Sequence, residues 1–194
     1  MVTVFFDIDT QIDFMFPAGA LYVPGAERLL PAISALNRYA VENDIPLIST
    51  MDAHAENDIE FRNWPAHCVA GTIGQKKPES TLAGTRIVVP AKPVELPDVN
   101  AQQIILEKLT TNCFDSPNLE AVLHAFAADH FVVYGVVTEI CVKFAALGLL
   151  RTGMRVEVVN DAVMHLNERE RDAMIAEFQE RGGVLTTVAD VCRI

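Results

Sequence analysis

The chain has 194 residues, of which 51% are hydrophobic and 21% charged, and its formal net charge is −11. This length and composition favour one compact domain over residues 1–194 with a substantial buried core, and they argue against a disordered chain. The acidic balance argues against nucleic acid as a partner, because phosphate binding needs a basic surface.

The apolar segments of the chain indicate a cytoplasmic protein with no membrane partner. The first residues enter a strand-like segment directly, without the basic region and apolar core of a secretory signal. The longest apolar stretch, residues 131–150, is interrupted by Glu139 and Lys143, which a membrane span does not readily carry. The four cysteines are scattered without C-x-x-C spacing, so we expect reduced thiols.

Apolar runs alternate with amphipathic segments along the chain. The predicted strands are residues 2–8, 45–49, 103–106, 131–137, 155–159 and 184–187, and the predicted helices are residues 26–43, 116–128, 139–152 and 167–182. This βα repetition, joined by right-handed crossovers, predicts a three-layer α/β/α domain with a doubly wound, six-stranded, mainly parallel sheet.

The region from residue 51 to residue 97 interrupts the periodicity. Gly, Pro and polar residues accumulate there, and long irregular insertions within compact domains are usually functional. A short strand around residues 86–90 is expected to divide the insertion. The chain has no G-x-G-x-x-G, phosphate-cradling Gly-Lys-Ser/Thr or G-x-S-x-G pattern, so no motif supports nucleotide binding or serine hydrolysis.

Reactive side chains follow four of the predicted strands at their carboxyl ends, where open α/β sheets bind ligands. Asp9 follows the first strand, Asp52 and His54 the second, Lys108 the third and Cys141 the fourth. A carboxylate, an ammonium and a thiol suit acyl transfer at an amide. Taken singly, each has a structural explanation, such as a turn or a solvated charge. Their shared edge of the sheet favours a functional site.

Cys141 is predicted to lie in the first turn of the helix after the fourth strand. If Thr138 is the N-cap, Cys141 lies near N3, where unpaired amides and the helix dipole stabilise a thiolate and can hold an oxyanion. A free thiol is only about 3% ionised at pH 7, so the expected activation is a pKa lowered by ~2 units, which requires about 2.7 kcal/mol. The alternative is that Cys141 is a small buried hydrophobe.

The insertion contains candidate metal ligands, beginning with the pair Asp52 and His54 and continuing with Glu60 and His67. Side chains two apart on an extended segment face the same way, and histidine with carboxylate is ligand chemistry for zinc, iron or manganese. An Asp-x-His pair in a polar loop can also be incidental, so spacing alone leaves metal binding open. The remaining histidines have no partner pattern and are interpreted as structural.

Three motifs resemble those of the isochorismatase-like cysteine hydrolases, and the resemblance runs nearly end to end. They are FDIDTQIDF at residues 6–14, Glu107-Lys108 with Phe114-Asp115 downstream, and GVVTEICV at residues 135–142. The resemblance implies the fold of that family, with Asp9, Lys108 and Cys141 as catalytic residues. It also implies an oxyanion hole from the backbone N–H groups of Val137 and Cys141, and a non-proline cis peptide between Val136 and Val137.

Within that family, the insertion resembles the metal loop of the nicotinamidase/pyrazinamidase group. The similarity is carried by Asp52-Ala53-His54 and by WPAHCVAGT at residues 64–72. It implies that Asp52, His54 and His67 bind a divalent metal, most simply zinc, with iron or manganese as alternatives. Many relatives have a further histidine in the stretch where this chain has Glu60, which is therefore the candidate fourth ligand.

The resemblance implies hydrolysis of nicotinamide to nicotinate and ammonia through a cysteine thioester, with Phe14 and Trp64 flanking the pyridine ring. Ile140 completes the expected substrate-binding set and stands where a histidine is common; Glu139 stands where an aspartate is common. These departures keep two alternatives open. One is a related hydrolase of another small amide or carbamoyl compound, and the other is a non-catalytic domain that binds a small ligand. A homo-oligomer is compatible with the sequence.

Overall fold

A computed structural model describes residues 2–96 and 100–193 of the chain. The strands of the described residues are β1 (Thr3–Ile8), β2 (Leu47–Asp52), β3 (Arg86–Val89), β4 (Gln103–Lys108), β5 (His130–Val136), β6 (Arg155–Met164) and β7 (Val184–Thr186). They form one parallel sheet in the order β3-β4-β2-β1-β5-β6-β7. The ends of the domain predicted over residues 1–194, and residue 97 of the insertion, lie outside the described residues.

Helices cover both faces of this sheet. The α-helices of the described residues are α1 (Ile12–Met15), α2 (Leu30–Glu42), α3 (Leu119–Phe126), α4 (Lys143–Arg151), α5 (Glu168–Glu180) and α6 (Val188–Cys192). A π-helical turn, Thr138–Val142, joins β5 to α4 and is called the π-turn below. Among the described residues, we find no helix whose length and hydropathy would allow it to cross a bilayer.

The predicted three-layer α/β/α architecture is confirmed, but the predicted count of six strands is wrong. The short strand expected near residue 86 belongs to the sheet: it is β3, and it pairs in parallel with β4 at the edge. Only one of its four residues is buried, as expected for a strand at the edge of the sheet rather than at its centre. β2 and β4 extend beyond their predicted ends to Asp52 and Lys108, and β6 extends to Met164.

Alternating side chains of the central strands build two cores, one on each face of the sheet. In β1, Phe6 and Ile8 join the core that packs against α3, α4 and α5, whereas Phe5 joins the core against α1, α2 and α6. Each large apolar side chain buried in this way stabilises the fold by about 1.5–3 kcal/mol. Burial on both faces explains why the central strands read as nearly continuous apolar runs.

One charged residue of β1 is fully buried, and it ties the insertion to the sheet. The Asp7 carboxylate accepts hydrogen bonds from Thr10 Oγ1 at 2.8 Å and Ser49 Oγ at 3.1 Å. It also pairs with the Lys77 ammonium at 3.3 Å, and both side chains are buried. Because Lys77 belongs to the insertion, this ion pair fixes the irregular segment against the strand that leads to Asp9.

Gly135 lies where β5 approaches β1 most closely. Its φ is +118°, and a Cβ built on it would lie 2.1 Å from the Ile8 carbonyl oxygen. The pairing of β5 with β6 also shifts register at this point. Only glycine can occupy this position without moving one of two central strands.

We predict that Gly135→Ala destabilises the protein by about 3 kcal/mol or more, because it adds both a backbone clash and an unfavourable φ. The matched control is Gly153→Ala, where φ is +82° and, apart from its chain neighbours, no heavy atom of the described residues lies within 4 Å of the added Cβ. The control carries only the conformational cost, about 1 kcal/mol. Urea unfolding of both variants measures the difference, and equal losses would contradict this account of Gly135.

Candidate active site

Four neighbouring strands deliver the candidate residues to one edge of the sheet. In the order β4-β2-β1-β5, their carboxyl ends all point the same way. Lys108 and Asp52 are register partners at the last positions of β4 and β2. Asp9 follows β1 directly, and Cys141 lies in the π-turn after β5. The topology therefore gathers residues that are up to 132 positions apart, from Asp9 to Cys141.

The Lys108 ammonium is the centre of this group and is fully buried. Its Nζ lies 2.8 Å from Asp9 Oδ2 and 2.5 Å from Asp52 Oδ1, donates to the Thr110 carbonyl at 3.0 Å, and lies 3.9 Å from Cys141 Sγ. Burial alone would lower the pKa of Lys108, but the two carboxylates outweigh it and hold the pKa well above its usual value. The two carboxylates therefore favour the protonated, cationic form of Lys108.

Asp9 is held in a fixed orientation by Thr50. The Thr50 hydroxyl accepts a hydrogen bond from the Asp9 N–H at 3.1 Å and donates one to Asp9 Oδ1 at 2.6 Å. Asp9 itself has a left-handed φ of 49°. Burial raises the pKa of the Asp9 carboxyl, and the nearby Asp52 raises it further, against the opposing effect of Lys108. The net upward shift makes Asp9 a better proton acceptor than an exposed aspartate.

Cys141 lies in the helical turn after β5 as expected, but the predicted N-cap is wrong. Val137 occupies the cap position, and the Thr138 hydroxyl instead donates to the Met164 carbonyl at 2.9 Å. Cys141 is thus the fourth residue of the turn rather than the third. The Val137 carbonyl accepts from Ile140 N and Val142 N, each at 3.1 Å, which is the widened pattern of a π-turn. The peptide bond between residues 136 and 137 is cis, as the family resemblance implied.

The prediction that the Cys141 thiol has a lowered pKa is also wrong. Burial raises the pKa of the thiol well above its usual value, and the carboxylates of Asp9 and Asp52 raise it further. Lys108 opposes this shift, but one cation does not offset two nearby anions and the loss of solvent. These surroundings favour the protonated thiol, and the neighbouring Asp9 carboxylate can accept a hydrogen bond from it.

Three of the candidate metal ligands form a compact buried cluster. Asp52, His54 and His67 each offer one ligand atom, and these three atoms lie within 4.8 Å of one another. Asp52 Oδ2 is 3.8 Å from Nε2 of each histidine. His67 Nδ1 lies 2.7 Å from the Pro65 carbonyl, and His54 Nδ1 lies 3.2 Å from Asp58 Oδ2. The Pro65 carbonyl is the kind of outer partner that orients an imidazole and directs its Nε2 towards a metal.

The chemistry of this cluster fits a divalent cation. Both ring nitrogens of His54 are buried, and neither has a hydrogen-bond partner among the described residues, a costly state unless a ligand occupies the site. Burial raises the pKa of Asp52, but Lys108 and the two histidines outweigh it and hold the pKa well below its usual range. An ionised carboxylate with two imidazoles suits zinc, iron or manganese. Glu60 lies outside this cluster of three, so its role as a ligand stays a prediction.

A mainly apolar cavity lies over these groups, and the substrate-binding residues expected from the sequence line it. It contacts Phe14, Trp64 and Ile140 together with Cys141 and Glu60. The sequence analysis missed the remaining part of the wall, which consists of Leu21, Tyr22, Val23, Thr111, Val136 and Leu166. Apart from Val136, which ends β5, these residues lie in connecting segments, where no periodic pattern indicates which way a side chain faces.

The parallel sheet thus brings a thiol, a carboxylate and an ammonium together at its carboxyl edge. The chain belongs to the isochorismatase family of hydrolases, because residues 3–190 match the model of the isochorismatase domain. It is 25% identical to the nicotinamidase of Escherichia coli (strain K12) in an alignment 204 residues long. The alignment covers 94% of this chain and 93% of that protein.

Solved structures extend the comparison. The pyrazinamidase of Pyrococcus horikoshii, in complex with zinc, is 27% identical with a TM-score of 0.80, covering 96% of this chain and 99% of that one. PnC1 of L. infantum, in complex with nicotinate, is 26% identical with a TM-score of 0.77, covering 97% of this chain and 93% of that one. Within the family, the similarity therefore falls in the nicotinamidase/pyrazinamidase group.

We predict that Lys108→Met lowers the free energy of unfolding by about 3–5 kcal/mol, because it leaves two buried carboxylates without their cation. The matched control is Lys143→Met. That lysine is 38% exposed and pairs with Glu177 at 3.6 Å, so its loss should cost less than about 1 kcal/mol. Chemical denaturation compares the two variants, and similar small losses would show that Lys108 does not hold the site together.

Proposed function

We propose that this protein hydrolyses nicotinamide to nicotinate and ammonia through a thioester on Cys141. The observation that carries the proposal is the meeting of the Cys141 thiol, the Asp9 carboxylate and the Lys108 ammonium at one apolar cavity. Amide hydrolysis needs a nucleophile, a proton acceptor beside it and stabilisation of the developing charge, and these three side chains can supply them. The similarity to nicotinamidases supports this substrate.

In the first half of the reaction, Asp9 takes the proton of Cys141 as the sulfur attacks the amide carbon. The thiol needs no resting ionisation, because the raised pKa of Asp9 makes the carboxylate an effective acceptor at the moment of attack. The backbone N–H groups of Val137 and Cys141 hold the oxyanion. Lys108 stabilises the negative charge that passes between carboxylate and sulfur.

In the second half, protonated Asp9 gives its proton to the leaving amine, and ammonia departs. The carbon–nitrogen bond breaks and a thioester to Cys141 remains. Water, deprotonated by Asp9, then attacks the thioester carbon. The products are the free acid and the regenerated thiol, so the cycle needs no redox partner.

Asp52, His54 and His67 would hold the metal, with Glu60 as the fourth ligand. When bound, a divalent metal would supply a Lewis acid that attracts the pyridine nitrogen and so helps to orient the ring. Phe14 and Trp64 flank that ring within the same cavity. A cytoplasmic place in pyridine nucleotide salvage follows from this substrate and belongs to the proposal.

The alternative substrate is another small amide or a carbamoyl compound. It is favoured by Ile140, which adds apolar surface to the cavity where the nicotinamidase group commonly has histidine. Ammonia release from nicotinamide, pyrazinamide and aliphatic amides separates the two proposals. A non-catalytic binding domain predicts no release from any of them.

We predict that Cys141→Ala lowers ammonia release from nicotinamide by at least about 10³-fold, because no other group can form the thioester. Ring binding and metal content should survive, since neither depends on the sulfur. Cys192→Ala is the control, because Cys192 lies in α6 and is not part of the cavity lining. Substantial turnover by Cys141→Ala would refute the role of Cys141.

We predict that His67→Ala loses its bound metal and that chelator treatment of the wild type lowers turnover, which zinc, iron or manganese then restores. Metal content is measured by elemental analysis, and comparing the three ions identifies the preferred one. His124→Ala is the control, since the His124 side chain is 80% exposed. Full metal content in His67→Ala would contradict the assignment of this ligand.

A further inference from the structure

Two consecutive residues of the π-turn form hydrogen bonds with the last residue of β6 and with the segment that follows it. The Thr138 hydroxyl donates to the Met164 carbonyl at 2.9 Å. Glu139 Oε1 accepts hydrogen bonds from Leu166 N at 2.8 Å and from Asn167 N at 2.7 Å. The turn that carries Cys141 is thereby joined to residues 164–167 by three hydrogen bonds.

Both hydrogen bonds of the Glu139 side chain go to the backbone of this one segment. The residue is 9% exposed, and its second oxygen, Oε2, is buried without a hydrogen-bond partner among the described residues. On the far side, the Asn167 side chain accepts a hydrogen bond from Glu170 N and caps α5. The short segment is therefore held between the π-turn and a helix, through backbone N–H groups at its centre.

Leu166 is the residue of this segment that matters for a ligand. Its side chain lines the cavity that Cys141 also lines, yet Leu166 is 46% exposed. An apolar side chain with so much exposure gains little from packing, so its position depends on the backbone that carries it. That backbone is fixed relative to the sulfur by Glu139.

We propose that Glu139 is a positioning residue that sets Leu166 as a specificity-determining wall of the cavity. The inference rests on the proposed amidase function and names its substrate class, which is carboxamides on a flat ring. Such a ring covers the apolar wall formed by Leu166, whereas a short aliphatic amide does not, so the ring compounds are preferred. Apolar contacts of this size change selectivity by about tenfold or more.

The test is a double-mutant cycle on Glu139→Ala and Leu166→Ala, read as kcat and KM for nicotinamide and propionamide. Leu166→Ala should lower the ratio of kcat/KM for nicotinamide over propionamide about tenfold, mainly through KM. Glu139→Ala should lower the same ratio, and the double variant should lose no more than Leu166→Ala alone. Glu139→Gln keeps an acceptor oxygen and should restore the ratio.

Two results would overturn the inference. Additive effects in the cycle would show that Glu139 does not act through Leu166. A loss of kcat that is equal for both amides, with an unchanged ratio, would show that Glu139 supports only the π-turn. Leu166→Ala removes an exposed side chain and should fold, so the wall itself is tested even where Glu139→Ala is unstable.

A second readout separates this inference from the proposed function. Trp64 lines the cavity and is the chain's one tryptophan, so its fluorescence reports binding of nicotinamide and propionamide to Cys141→Ala. The same cycle can then be measured as Kd values. Absence of ammonia release by the wild type would refute the proposed function alone, because the fluorescence cycle requires no turnover.

Discussion

The buried Lys108 ammonium is the interaction on which the site depends. In a low-dielectric interior a cation must be paired, and Lys108 is paired with both Asp9 and Asp52. One of these carboxylates faces the Cys141 thiol and the other faces two histidines. The three charges sum to −1, which favours a further cation beside Asp52. The thiol and the candidate metal cluster are therefore parts of one electrostatic unit.

This electrostatic unit changes how the thiol is expected to become a nucleophile. A helix terminus would favour a standing thiolate, but burial and two carboxylates raise the pKa of Cys141 instead. The same environment raises the pKa of Asp9. A neutral thiol beside a strengthened base can transfer its proton as the carbon–sulfur bond forms. The site then avoids a buried, reactive thiolate in the absence of substrate.

The sequence predicted the layers and the residues at strand ends because both follow from periodicity and topology. It predicted a short strand near residue 86 but not that this strand joins the sheet as its seventh member, because no local pattern indicates which strand the edge segment Arg86–Val89 pairs with. It also could not predict the sign of the Cys141 pKa shift, which depends on distances to charges that are remote in sequence. Leu166 was missed for the same reason: the carboxyl of Glu139 holds it, and no local pattern indicates that bond.

The candidate metal ligands are held by hydrogen bonds that need no metal. Gln11 accepts from Asp52 N at 2.7 Å and donates to the Asp52 carbonyl at 2.9 Å and the Gln75 carbonyl at 2.8 Å. It thus joins the loop after β1, the end of β2 and the insertion. Together with the Asp7–Lys77 ion pair, these bonds hold the backbone of Asp52 through contacts within the protein. We therefore expect the fold to form without the ion, unlike small zinc domains whose fold forms only around it.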